Sequence, residues 1–227
     1  MKTIGMVVAV QTEMDAVLKR YGEPVDVKTT RGGTILTYQM PTYTLCICNC
    51  GAGEIAAAAA TQLLIATCDV DMILNFGVVG GLTPAMAKTR TCVVEKVVHY
   101  DFDTSPIDPV VEGQYLEYPD VYIPTTPELV DKAVSLFPSL KRVICASADK
   151  FVDLPERKAA LNTRFSAEIC EMEAAGVVLT CNRCGVPCLL IKTVSDSIEG
   201  GAAEFHDAIK DTAIICLDIA DAIMREL

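Results

Sequence analysis

Positive charge, histidine and long apolar runs are all scarce in this sequence, and each shortage excludes a class of protein. There are 19 Lys and Arg against 30 Asp and Glu, which gives a formal net charge of -11. A chain of that charge repels phosphate backbones, so we expect no nucleic-acid partner. No apolar run approaches the roughly 20 residues that a spanning helix needs, so we expect no insertion into a membrane.

The first apolar run, residues 4–10, is too short to suggest export. It ends in Gln11-Thr12-Glu13, and it therefore fits a first strand better than a signal peptide. We expect a cytoplasmic protein for this reason.

Eleven cysteines stand against only two histidines, His99 and His206. The number of cysteines is odd and most lie inside apolar runs, which favours reduced thiols in the core. Cys181 and Cys184 form a lone C-x-x-C, whereas a zinc site ordinarily has a second such pair or added histidines. We therefore expect no metal site.

Strand-like and helix-like runs alternate along the 227 residues. This pattern predicts an α/β protein with a mixed central β-sheet, helices on both faces, and one domain that spans residues 1–227. Residues 101–127 carry five prolines and predict a long functional or interface loop. The predicted strands are 3–10, 25–30, 34–39, 43–50, 71–76, 91–98, 143–147 and 188–194, and the predicted helices are 13–19, 54–67, 127–136, 154–160 and 203–227.

Acidic residues follow several of the predicted strands. Glu171 and Glu173 lie between a short apolar run and a helix-like run, and in extended chain they point the same way. At the carboxyl end of a strand that direction faces the usual ligand crevice, where carboxylates suit the hydroxyls of a sugar diol. An acidic first helical turn, stabilised by the helix dipole, is an equally good explanation.

Glu13 and Asp196 also end separate strands. Asp196 follows mostly apolar residues, where desolvation favours a neutral carboxyl that can donate a proton to a leaving group. A helix or turn cap is the alternative for both residues. Glu13, Glu173 and Asp196 thus all follow separate strands at one rim of the sheet. Three such carboxylates together are harder to explain as caps than any one of them alone.

Two glycine-rich segments follow strands. Gly51-Ala52-Gly53 opens a G-x-G-x-x-A match to the dinucleotide fingerprint, but the acidic residue that should bind the ribose is missing. Glu54 also puts a negative charge where a pyrophosphate would bind, so a tight turn is favoured over NAD binding. Residues 77–81 predict a second turn, which could let a ligand approach the backbone but offers no Lys or Arg to phosphate.

Five runs of the sequence resemble a known family. From the first strand to the last helix they are similar to the 5'-methylthioadenosine/S-adenosylhomocysteine nucleosidase branch of the purine nucleoside phosphorylase/uridine phosphorylase superfamily. The resemblance implies a nucleoside phosphorylase-like fold and hydrolysis of the N-glycosidic bond of 5'-modified adenine nucleosides, with no cofactor. The runs are Ala9-Val10-Gln11-Thr12-Glu13-Met14, Asn75-Phe76-Gly77-Val78-Val79-Gly80-Gly81-Leu82, Ser147-Ala148-Asp149-Lys150-Phe151-Val152, Glu171-Met172-Glu173-Ala174 and Val194-Ser195-Asp196.

The resemblance also implies a role for each site residue. Glu13 is the base that activates water, and Asp196 gives its proton to the purine N7 while Ser195 holds its carboxyl group. Glu173 binds the ribose hydroxyls, with Met172 under the sugar. Around the purine and the 5' substituent the implied contacts are Phe151, the backbone of Val152, and Phe205.

Val78 departs from the family pattern, which has a serine in that loop. A valine side chain cannot hydrogen-bond phosphate, so hydrolysis is favoured over phosphorolysis. A phosphorylase, or a nucleoside-binding protein without catalysis, are the alternatives. The family also implies a homodimer in which a segment near residues 103–109 completes the neighbouring pocket.

Overall fold

The structure, a computed structural model, describes residues 1–227, and strands and helices alternate along them. The strands are β1 (Lys2–Val8), β2 (Asp26–Thr30), β3 (Gly33–Gln39), β4 (Tyr43–Asn49), β5 (Met72–Gly81), β6 (Thr91–His99), β7 (Ile123–Pro124), β8 (Lys141–Ser147), β9 (Ile169–Glu171) and β10 (Cys188–Asp196). The helices are α1 (Gln11–Tyr21), α2 (Glu54–Cys68), α3 (Pro127–Leu136), α4 (Pro155–Phe165), α5 (Ala174–Cys184) and α6 (Gly201–Met224).

The ten strands form one sheet, in the order β10-β6-β8-β9-β5-β1-β4-β3-β2 with β7 beside β6. β1 pairs in parallel with β4 and β5, whereas β10 pairs in parallel with β5 and antiparallel with β6. Because β10 lies beside both β5 and β6, the five strands β10, β6, β8, β9 and β5 close into a ring. The predicted mixed sheet is therefore confirmed.

Helices cover both faces of this sheet. Along β1, Val7 belongs to one apolar core while Met6 and Val8 belong to another, because successive side chains of a strand point to opposite faces. α2 and α5 supply the first core, and α1, α3 and α6 supply the second. No helix combines the length and the apolar character that crossing a membrane requires. All eleven cysteines are free thiols.

Most predicted elements end within three residues of their predicted bounds, but two do not. α4 continues to Phe165 instead of ending at 160. The prediction of a turn at residues 77–81 is wrong, because β5 continues as a strand to Gly81.

Close approach of other groups explains why β5 carries glycines in a strand. A Cβ at Gly77 would lie 2.7 Å from Oε1 of Glu13, and one at Gly81 would meet the backbone carbonyl of Met86. A Cβ at Gly80 would lie 3.1 Å from Oδ2 of Asp196. The glycines therefore serve close packing rather than a change of chain direction, and they bring two carboxylates against the strand.

Candidate active site

A cavity of about 230 Å³ opens at the carboxyl ends of β1, β5, β9 and β10. This is the edge of an α/β sheet where ligands usually bind. The structure brings all nine site residues named from the sequence to the wall of this one cavity. They are Glu13, Val78, Phe151, Val152, Met172, Glu173, Ser195, Asp196 and Phe205.

Glu13 lies in the first turn of α1 and is buried. Its Oε1 accepts a hydrogen bond from the backbone N–H of Val78 at 2.9 Å, and its Oε2 accepts one from Val10 at 3.2 Å. Burial raises the pKa of Glu13, and the bond from Val78 and the charge of Lys192 only partly oppose this effect. A carboxylate with a raised pKa is a better base for abstracting a proton near neutral pH.

Glu173 is the residue that precedes α5, and its Oε1 accepts a hydrogen bond from the backbone N–H of Gly53 at 2.9 Å. Burial, and then the negative charge of Glu171, raise the pKa of Glu173 to about 7. The turn at Gly51-Ala52-Gly53 thus donates its N–H to a carboxylate of the protein. This contact is direct support for the tight turn that the sequence favoured over a pyrophosphate site.

Glu171 does not pair with Glu173 in the way that an extended chain would allow. Its carboxylate accepts hydrogen bonds from the backbone N–H groups of Glu173 and Ala174, at 3.0 and 2.9 Å, and one from Ser147 Oγ at 2.5 Å. It therefore stabilises the N-terminus of α5 from outside the helix. The alternative explanation, an acidic first helical turn, is wrong, because Glu171 ends β9 and Glu173 precedes α5, so the first turn holds no acidic residue. The two carboxylates have separate tasks because the strand ends at Glu171.

Glu54 forms a buried acidic pair with Glu171 through the hydroxyl of Ser147. Ser147 Oγ contacts a carboxylate oxygen of each residue, and the backbone N–H of Gly176 donates to Glu54. A hydroxyl carries a single proton, so one carboxyl of the pair holds a proton of its own. Burial, and then the charge of Glu171, raise the pKa of Glu54 to about 8.

These raised pKa values predict that stability falls as pH rises. A folded state whose Glu54 has a pKa of about 8, against 4.5 for the ordinary group, binds more protons than the unfolded chain between those values. The free energy of unfolding therefore decreases as pH rises through this window, and Glu173 acts in the same direction up to about pH 7. We expect Tm to fall by several degrees between pH 6.5 and 8.5, as measured by calorimetry.

Glu54→Gln is the matched variant for this prediction. The amide of a glutamine can donate to Ser147 Oγ and still accept from Gly176, as a protonated Glu54 does. The variant should melt above the wild type at pH 8.5 and lose much of the pH dependence. A wild-type Tm that is constant or rises over this range would contradict the prediction.

Asp196 ends β10 and is almost completely buried. Ser195 Oγ donates to its Oδ1 at 2.9 Å, and Nζ of Lys158 donates to its Oδ2 at 2.6 Å. The expectation of apolar surroundings for Asp196 is therefore wrong in one respect, since Nζ of the buried Lys158 faces its carboxyl group. Lys158 escaped the sequence analysis because it lies in the polar run Pro155-Glu156-Arg157-Lys158, which predicts only the exposed start of a helix.

Lys192 is a second buried lysine that the sequence analysis missed. It lies on β10 with Nζ 3.3 Å from Oε2 of Glu171. Burial alone would lower the pKa of Lys192, but the negative charges of Glu171, Glu173 and Glu13 outweigh it and raise the pKa. The position of Lys192 inside the apolar run 188–194 could have predicted a buried ion pair, because a charge in a buried strand needs an opposite charge beside it.

Aromatic side chains form the outer part of the cavity. The rings of Phe151 and Phe205 lie edge to face, with their centroids 5.4 Å apart. Phe151 is 44% exposed, although a phenylalanine of a pocket wall would ordinarily be covered. The two rings provide an apolar surface on which a flat aromatic ligand can stack.

Comparison with known proteins finds a matching family and similar proteins. The sequence profile of the Phosphorylase superfamily matches residues 3–227. The 5'-methylthioadenosine/S-adenosylhomocysteine nucleosidase of Hydrogenovibrio crunogenus is 32% identical over 152 residues, which cover 64% of this chain and 65% of that protein. The nucleosidase of the same name from Shewanella loihica is 27% identical over 199 residues, 86% of each chain. The aligned region thus spans just under two thirds of the more identical of these two relatives.

Two solved structures have the same fold. The Helicobacter pylori 5'-methylthioadenosine/S-adenosyl homocysteine nucleosidase has a TM-score of 0.92 with 24% identity, over 100% of this chain and 99% of that chain. The Neisseria meningitidis nucleosidase, in complex with methylthio-immucillin-A, has a TM-score of 0.91 with 23% identity over 100% of both chains. The predicted nucleoside phosphorylase-like fold is confirmed by these superpositions.

Proposed function

The chain belongs to the phosphorylase superfamily, and from this premise we propose that it hydrolyses the N-glycosidic bond of 5'-modified adenine nucleosides. Methylthioadenosine and S-adenosylhomocysteine are the proposed substrates, and adenine and the free sugar are the products. The names of the relatives support this substrate class.

One observation carries the proposal. Three carboxylates that are distant in sequence, Glu13, Glu173 and Asp196, line one cavity. When an N-glycosidic bond stretches, positive charge develops on the sugar and negative charge on the base. Carboxylates around the sugar and an acid beside the base stabilise charges that exist only in the transition state, which is how an enzyme accelerates the reaction.

Each carboxylate has a distinct task in this mechanism. Glu173 accepts hydrogen bonds from the 2'- and 3'-hydroxyls of the ribose. Glu13 accepts a proton from the water that attacks the anomeric carbon, and Asp196 donates a proton to the purine N7 so that neutral adenine leaves. Ser195 holds the Asp196 carboxyl by the bond to Oδ1.

Apolar residues orient the substrate. Phe151 stacks on the purine, and the backbone of Val152 contacts the purine edge. Met172 packs against the sugar, and Phe205 lines the space for the 5' substituent. All four residues line the cavity of the three carboxylates, which supports a shared substrate.

The cavity favours water over phosphate as the nucleophile. Lys150 is the only cationic side chain among the lining residues, and it is exposed and bonded to Asp101. Val78 offers no hydroxyl, and its backbone N–H is already bonded to Glu13. A phosphate dianion near the sugar would lie beside Glu13 and Glu173 and have no free cation to bind, so its binding is disfavoured.

Release of adenine in phosphate-free buffer tests the proposed function. We expect the protein to convert methylthioadenosine to adenine without phosphate, and added phosphate to change the rate less than about twofold. Adenine can be followed by chromatography, with inosine as a purine nucleoside that lacks the 5' substituent and the amino group. Adenine release that requires phosphate would identify a phosphorylase, and tight binding without release would identify a binding protein.

We also propose a homodimer in the cytoplasm that serves methionine salvage. Apolar side chains of the loop between β6 and β7 are unusually exposed, with Ile107 at 84%, Leu116 at 63% and Val111 at 59%. Exposed apolar groups on one segment are typical of a subunit contact. The exposed face of Phe151 at the mouth of the cavity is consistent with a pocket that the same loop of a second subunit completes.

A further inference from the structure

Both members of the ion pair between Lys158 and Asp196 are buried, as are those of the pair between Lys192 and Glu171. The side chain of Lys158 has no exposed surface and that of Asp196 is 2% exposed. Nζ of Lys158 lies 2.6 Å from Oδ2 of Asp196 and 2.6 Å from the carbonyl oxygen of Ser197. Removing two charges from water costs several kcal/mol per ion, so this pair is weak evidence of a purely stabilising role.

We propose that Lys158 is the proton source for Asp196 in cleavage of the glycosidic bond. The inference rests on the proposed function, because it concerns the proton that the purine accepts. Lys158 acts through Asp196 and does not line the cavity.

The difficulty that Lys158 resolves is one of charge state. An ionised Asp196 beside an ammonium group has no proton to donate, and it would repel the negative charge that grows on the leaving purine. An ammonium with a carboxylate and an amine with a carboxylic acid contain the same number of protons. Moving one proton over the 2.6 Å between Nζ and Oδ2 therefore gives a neutral acid without any proton from solvent.

The proton balance of the proposed relay is complete. An N–H bond of the Lys158 ammonium breaks and an O–H bond of Asp196 forms, which leaves a neutral amine and a neutral acid. The O–H bond then breaks as the purine N7–H bond forms, while the electrons of the glycosidic bond go to the purine. Glu13 holds the proton taken from water, and after product release solvent removes that proton and restores the ammonium of Lys158.

Both members of the pair are buried, so neither keeps the hydration that favours separate charges in water. Transfer of the proton from Nζ of Lys158 to Oδ2 of Asp196 removes both charges from this buried site. The approach of a purine that gains negative charge further favours the neutral acid. The titratable groups that face the pair from neighbouring elements are Cys170 on β9 and Glu204 on α6.

Two variants separate a proton source from a counter-ion. Lys158→Met removes both the charge and the proton and keeps an apolar chain of similar length. Lys158→Arg keeps the positive charge, but a guanidinium does not give up its proton in proteins. We expect both variants to lose about 100-fold or more of kcat on methylthioadenosine at pH 8, the range typical of general acid catalysis. In both, the fall of kcat with rising pH should begin at lower pH than in the wild type.

A second substrate shows whether the loss concerns the proton. A 4-nitrophenyl ribofuranoside with the same 5-methylthio group releases a phenolate that leaves without a proton. We expect Lys158→Met to retain its activity on this substrate within about threefold, as a loss confined to proton delivery requires. An equal loss on both substrates would assign Lys158 a structural role and overturn the proposal, as would a Lys158→Arg variant with the wild-type pH profile.

The wild-type protein keeps this test distinct from the test of the proposed function. If the wild type releases no adenine from methylthioadenosine, the proposed function fails. If the wild type is active and the Lys158 variants match it on both substrates, the proton relay alone fails.

Discussion

Replacing Asp196 by Asn is expected to lower kcat for methylthioadenosine about 1,000-fold, within the range of general acid catalysis. That loss corresponds to about 4 kcal/mol of transition-state stabilisation. The amide keeps the size of the carboxyl group and can still donate a hydrogen bond to the purine, so binding of the substrate should change little. It cannot transfer a proton, so the leaving purine departs as a poor anion.

Initial rates of adenine release measure this prediction, and calorimetric titration measures binding. Asp211→Asn is a matched control, because Asp211 is exposed on α6 and away from the cavity. The Asp196→Asn variant also leaves Lys158 without its counter-ion, so Tm should be recorded and the assay run well below it. Near-normal kcat in Asp196→Asn would remove Asp196 from the role of acid.

Glu13→Gln is expected to lower kcat by about 100-fold or more with KM within about threefold of the wild type. The glutamine oxygen can still accept the bond from the Val78 N–H, so the strand and the helix keep their contact. The amide is not a base, so the water that attacks the sugar is no longer activated. The bond from the backbone of Val10 is the structural contact at risk, at a cost of about 1 kcal/mol for a lost helix cap.

Asp15→Asn is the control for this variant, since Asp15 lies on the same helix, is exposed and accepts a side-chain hydrogen bond from Gln11. Its rate should equal that of the wild type. A Glu13→Gln variant that keeps kcat but loses affinity by a large factor would make Glu13 a binding residue instead of a base.

The sequence predicts the layers of this fold well because the signals are local. An apolar run of about 4 to 8 residues predicts a strand without information from the rest of the chain. A periodic run with a proline at its start predicts a helix in the same way, as at α3 (Pro127–Leu136). The segment 77–81 misled the prediction because glycine ordinarily marks a turn. Here the need for glycine comes from Glu13, far earlier in the chain than Gly77, and a local pattern cannot contain that fact.

The site shows the same division between local and distant causes. The resemblance to the nucleosidases named the residues that line the cavity, because they lie in short runs such as Glu171-Met172-Glu173-Ala174. It did not name Lys158, whose significance comes from a contact with Asp196 across 38 residues of chain. The division of tasks between Glu171 and Glu173 likewise follows from where β9 ends, which the sequence leaves open.

A crystal structure of Asp196→Asn, soaked briefly with methylthioadenosine and then frozen, tests most directly whether Glu13, Glu173 and Asp196 act on one nucleoside, because the variant should bind the substrate and consume it about 1,000-fold more slowly. We expect the purine N7 within about 3.2 Å of the side-chain amide introduced at position 196. The ribose hydroxyls should lie on Glu173, and a water on Glu13 should lie below the anomeric carbon. A nucleoside bound in this cavity with its ribose turned away from Glu173 and Glu13, or bound elsewhere on the protein, would contradict the claim.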